Sequence, residues 1–298
     1  VKDYGTLHAG GDTGDLPDTD YTEQDVDLRV DVPLADGQAL TFGYQRVRQQ
    51  DVPRTHKTVS AVPFHGTTVG SELHRDLDQG RDLLYGRWSW QGQGGGLADG
   101  GDVTLSWQHQ QEQQNRLRTG GRMDASGFDV RTLGVQTQMH REVGSTLVTW
   151  GADWYHDDVD SFRRDVVGGV PQPVQIQGPV GDDASYDLLG AYVQAEIPHG
   201  ESAETIVGLR WTQAHAVAHQ VDDPTVPGSS PFTPGNIMRV DETFNDWTGN
   251  IRTLLHVDDR TSLHVGLAQG FRAPNIDGLA KDGDFGGGTE LHNPDLEP

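Results

Sequence analysis

Thirteen histidines and 45 acidic side chains give this sequence many places where proton transfer or metal ligation could be built. Their arrangement favours neither. His156-Asp157-Asp158 and Asp182-Asp183 could supply an acid, a base or a metal ligand. Each lies where a long polar link begins or continues, so solvated charge is the natural reading. Asp282-Gly283-Asp284-Phe285-Gly286-Gly287-Gly288 has the alternating oxygens and permissive glycines of a calcium turn. It lacks the twelfth-position Glu of the helix-loop-helix pattern and is read as a flexible loop. Gly92–Gly96 is followed by no Lys-Ser/Thr and is no phosphate loop. Neither Gly-x-Ser-x-Gly nor His-Glu-x-x-His occurs. The absence of cysteine excludes a thiol nucleophile, a disulfide scaffold and a zinc-thiolate site. No catalytic residue is assigned, no intrinsic cofactor is implied, and an enzyme is not expected. His292 stands apart as the only histidine between Pro274 and Asn293. Neutral imidazole is a good donor to ferric iron, and a solvent-facing loop histidine is the competing reading.

The elements that must position these groups are strands. Apolar residues make up 34% of 298, and the net charge is -23. That charge argues against nucleic acid and against docking by charge on anionic lipid. It suits solvated loops and cationic ligands or divalent ions. No apolar run approaches the twenty residues of a membrane helix. Val1 opens into a polar stretch with no signal peptide, and the abrupt end at Glu297-Pro298 suggests a fragment. Period-two alternation is pervasive: Val103, Leu105 and Trp107 share one face, with Asp102, Thr104, Ser106 and Gln108 on the other. About ten such strands are predicted, near 24–32, 39–47, 82–92, 102–112, 127–139, 146–156, 186–197, 204–216, 241–256 and 262–271.

The links between them are more telling. Short ones fall at Pro33–Gln38, Gln93–Gly101, His140–Ser145, Pro198–Ala203 and Val257–Thr261. Long ones fall at Arg48–Arg81, Gln113–Ser126, Asp157–Ser185, Val217–Val240 and after Phe271. Strict alternation puts every long link at one end of an up-and-down sheet, which is the asymmetry of outer-membrane barrels. Trp88, Trp90, Trp107, Trp150, Trp154, Tyr155, Tyr192 and Trp211 lie on these strands, as interfacial girdles or as core anchors. The predicted class is all-β, an antiparallel up-and-down transmembrane β-barrel, partial, with long loops on one side. The alternative is a soluble secreted all-β carbohydrate-binding or carbohydrate-active protein, whose core would be buried on both faces.

Phe271-Arg272-Ala273-Pro274 closing the last strand, and Asn293-Pro294-Asp295-Leu296-Glu297-Pro298 a short loop later, resemble the FRAP and NPxL boxes of TonB-dependent outer-membrane receptors. Val52-Pro53-Arg54-Thr55, Gly151-Ala152-Asp153-Trp154-Tyr155 and Ser161 are similar to barrel segments of the haem and haemoglobin group. The resemblance implies uptake of an iron complex, haem or a ferric siderophore, across the Gram-negative outer membrane. It implies outer-membrane lipid, an iron-bearing ligand and the TonB complex as partners, TonB acting through a plug. Neither a plug nor a TonB box is visible, so residues 1–298 are expected to be a barrel portion only, with both ends missing. Ligand contact falls on His292, Arg272 and Asn293, with His292 as an axial haem ligand. For Arg272, holding loop carboxylates is the preferred reading.

Overall fold

Where one face of a strand meets lipid and the other meets water, its side chains must alternate, and its backbone groups must all be paired by neighbours. The computed structural model satisfies both demands. It describes residues 1–10, 14–34, 37–61, 69–92, 96–223, 236–281, 283–285, 288–290, 293 and 296, with backbone alone for His56, 283–285 and 288–290. The long strands are β1 (Tyr21–Pro33), β2 (Gln38–Pro53), β3 (Glu72–Gln91), β4 (Gly100–Arg118) and β5 (Arg122–Val143), then β6 (Thr146–Val167), β7 (Asp182–His199), β8 (Ala203–Asp222), β9 (Ile237–Asp258) and β10 (Thr261–Ala268). Each pairs antiparallel with its neighbours in chain order, in one continuous sheet. Lys2–Tyr4 adds three paired residues at the start of β1, and Val170–Pro171 pairs with the end of β6. No described helix is long and apolar enough to cross a membrane; the strands are the candidates for that.

Cross-strand partners share a face, so the register assigns every side chain. From Leu40↔Trp88↔Val103 the outer row leads through Trp107↔Leu133 and Met139↔Trp150 to Ala191↔Trp211↔Trp247. All 7 tryptophans therefore lie on this one face. Leu28, Leu105, Leu133, Leu209 and Ile251 are among its exposed apolar residues. A soluble sandwich would bury that row, so the carbohydrate-binding alternative loses its ground. Tyr155 and Tyr192, grouped with the tryptophans by sequence, lie on the opposite, lumenal face, beside Gly134 and Gly151. They lie there because those glycines leave room: a Cβ at Gly134 would stand 2.8 Å from the Tyr155 ring, and one at Gly151 2.7 Å from the Tyr192 hydroxyl. Gly134→Leu should thus push Tyr155 off its seat and cost ~1–3 kcal/mol, read by guanidinium unfolding of the full-length protein in detergent.

Every expected strand is present, yet most are longer at the long-link end. β6 continues to Val167 instead of stopping at 156, and β3 begins at Glu72 instead of 82. The expected long link Gln113–Ser126 shrinks to Thr119-Gly120-Gly121, where Gly120 and Gly121 take φ of 92° and 77°. Outside lipid both faces meet water, so alternation is no longer required while backbone pairing still is. That is why sequence patterning under-read these extensions. At the other extreme β10 ends at Ala268 rather than 271. The Gly283–Phe285 stretch, expected to be a loop, pairs with Gly288–Glu290 as a short hairpin.

Candidate functional site

Above the apolar band, the chain folds inward twice onto the lumenal wall. The first inward piece is residues 176–181. Ser161 on β6 holds it: its Oγ accepts the N–H of Gly178 at 3.1 Å and of Val180 at 3.4 Å. The Ser161 N–H donates to Asp182 Oδ1 at 2.7 Å. The second piece follows β10 and ends in the five-residue helix α1 (Ile276–Ala280). Asn275 starts it, its Oδ1 accepting the Gly278 N–H at 2.9 Å. Buried Gln177 ties the two together, donating from Nε2 to the Ala280 carbonyl at 2.9 Å and accepting the Asp222 N–H at 2.8 Å. Ile276, Leu279 and Ala280 pack on Val159, Ala184, Ala216, Ala218, Val221 and Val240. Three alanines on the wall let the helix lie close. Gln177→Ala would leave the Asp222 N–H and the Ala280 carbonyl unpaired, at ~1–3 kcal/mol. Faster proteolysis between 168 and 181 in the full-length protein is the expected sign.

Between these pieces and the wall lies a cleft of about 400 Å³ lined by Phe128, Val130, Asp157, Val159, Val180, Tyr186, Asn275, Ile276 and Asp277. Sequence patterning placed Asp157 at the head of a solvated loop. The structure puts it within β6, half-buried, three residues beyond Trp154, which ends the outer apolar row. Its Oδ1 accepts the Thr132 hydroxyl at 2.6 Å, and burial pushes its carboxyl above the usual range. His156 and Asp158 face outward instead, and His156 Nδ1 lies 2.9 Å from Asp187. The His156-Asp157-Asp158 run is therefore split between two faces and cannot act as one centre. Asp182 is a backbone acceptor rather than an acid or base. Among the described residues, no three His or carboxylate side chains are gathered as a metal site.

Further along the lumenal mouth, Arg116 and Asp124 are joined at 2.6 Å, and Arg122 and Arg163 both reach Asp165 at 3.2 Å. Arg75 lies 3.6 Å from buried Glu72, and burial lowers the Arg75 pKa below its ordinary value. Deeper in the lumen Arg210 clasps Asp153 through two bonds of 2.8 Å. The sequence-assigned ligand residues fare unevenly. Arg272 is exposed on the segment leading to α1, while Pro274 two residues on is buried. Asn293 is exposed, and His292 lies outside the described residues. Neither Arg272 nor Asn293 lines the cleft.

A family model described as the TonB dependent receptor-like β-barrel matches residues 3–298. The chain belongs to the TonB-dependent receptor β-barrel family. Its place is the Gram-negative outer membrane, and the proteins of this family are transporters rather than enzymes. Among solved structures it is similar to the copper transporter OprC, with a TM-score of 0.70, 15% identity, and coverage of 93% of this chain and 40% of that one. It is similar to the Serratia marcescens hemophore receptor HasR, solved with its hemophore and heme, at TM-score 0.67 and 14% identity, covering 100% and 43%. The FrpB iron transporter from Neisseria meningitidis gives a TM-score of 0.64 at 11% identity, covering 92% and 42%. At such identities the likeness is one of fold. The TonB-dependent receptor barrel described here spans about two-fifths of the length of these structures. No curated protein matches the sequence.

Proposed function

We propose that this chain is the barrel portion of a receptor that takes up an iron-bearing complex, haem or a ferric siderophore, with energy from TonB. Residues 1–298 supply wall, and a plug elsewhere in the parent couples to TonB. The reading rests on the inward course of the chain after β10. That course seats α1 on the lumenal wall, and the sequence that follows it carries His292 and Asn293. Arg272 precedes the buried turn and serves the loop's carboxylates. Haem or siderophore is cargo here, and His292 is the proposed axial ligand if the cargo is haem.

Deleting the parent gene should abolish growth on the chelated iron source under iron starvation, and removing TonB should do the same. Undiminished growth in either strain would sink the uptake reading. For the narrower point, His292→Ala in the full-length receptor should weaken haem binding by at least about tenfold, roughly 1.4 kcal/mol, and shift the Soret band. An unchanged affinity and spectrum would remove His292 as a ligand.

A further inference from the structure

The lumenal cleft beneath α1 has largely apolar walls and one half-buried carboxylate, Asp157. Phe128, Val130, Val159, Val180, Tyr186 and Ile276 form the walls. We propose that this cleft binds an aromatic or aliphatic arm of the transported ligand that ends in an ammonium, with Asp157 as its counter-charge. The inference rests on the uptake reading and narrows it to ligands carrying a cationic arm.

Three observations carry it. Asp157 receives one side-chain hydrogen bond, from Thr132, and forms no ion pair with Lys or Arg among the described residues. Burial holds its carboxyl above the usual range, opposed by the Thr132 bond and by nearby His156, with a smaller contribution from Asp187 in the same sense as burial. At the rim, Asp277 is already held by Lys281 at 3.4 Å and does not compete for the arm. A carboxylate among apolar walls lacks compensation, and an ammonium entering there supplies it where water screens least. The same field repels a carboxylate-bearing arm. A volume of about 400 Å³ falls within the range of small-molecule sites.

The test uses the full-length receptor in detergent with two soluble probes of like size, tyramine and 4-hydroxyphenylacetate, followed by ligand-observed saturation-transfer NMR. Tyramine should bind at least about tenfold tighter than the acid. Asp157→Asn, which keeps an acceptor for Thr132, should bring the ratio close to one. Ile276→Trp, which narrows the cleft from α1, should weaken tyramine. Equal binding of the two probes, a ratio unmoved by Asp157→Asn, or no tyramine binding at all would overturn the proposal; the last would mean that another part of the parent fills the cleft. Iron-limited growth of the same strains separates the two readings. Normal iron uptake without tyramine preference removes the cleft alone. Tyramine preference without an iron phenotype removes the uptake reading and leaves the cleft as a cation site.

Discussion

Leu133→Arg should cost the full-length barrel ~2–4 kcal/mol, whereas Gln136→Arg, three residues along the same strand, should cost ~0–1 kcal/mol. The two positions differ in face alone. Leu133 pairs with Trp107 in the outer apolar row and is exposed, as a lipid contact must be in a protein viewed without its lipid. Gln136 pairs with Thr104 and Asp153 on the lumenal side, where water and charged side chains already accept polar groups. An arginine facing hydrocarbon has to snorkel or thin the bilayer, while one facing the lumen stays hydrated. Guanidinium unfolding in lipid vesicles, followed by tryptophan fluorescence, reads the difference directly. Equal costs at the two sites would mean that the assigned faces are wrong.

Much of this is legible in the sequence itself, for a physical reason. A strand in lipid must alternate, and links at the two ends of an up-and-down sheet must sort by length, so strand order and the outward face are written locally. The β4 row Val103, Leu105 and Trp107 is an example: nothing beyond its own sequence is needed to read it. The extensions were not legible because Gln110–Arg118 has water on both faces and no alternation to show. The inward pieces were hidden for a different reason. Ser161, Gln177 and Ile276 are buried by contacts between residues far apart in the chain, as the Gln177–Ala280 bond with its separation of 103 illustrates. Even so, one signal existed. Phe128, Val130, Val159 and Tyr186 are apolar residues at positions whose parity belongs to the polar, lumenal face. Apolar residues on that parity, beyond the lipid band, mark a wall that something covers. Arg272, His292 and Asn293 were picked by motif alone, and motif says nothing of which wall residues a loop will meet.

Taken alone, the 298-residue chain should fail to enter a bilayer as a stable barrel. Its outer face is committed to lipid, but its sheet has two ends that are not paired with each other among the described residues. Beyond Thr22, β1 bonds to β2 on one side while its other side is paired through Lys2–Tyr4 only as far as Glu23. β10 bonds to β9 along Thr261–Ala268 and has no partner strand on its far side among the described residues. In hydrocarbon each unpaired backbone group costs several kcal/mol, and a spanning edge of roughly nine residues carries several of them. Two such edges exceed the ~5–15 kcal/mol by which a folded protein is normally stable. The curvature cannot relieve this, since ten strands bent into a closed ring would drive α1 and residues 176–181 out of a lumen too narrow to hold them. The expected result is a carbonate-extractable or aggregated product with no heat-modifiable band on gels. The full-length receptor should resist extraction and migrate faster unheated. A heat-modifiable, carbonate-resistant form of the 298-residue chain would show that these edges pair with each other or with a second copy, and the open-sheet description would have to be abandoned.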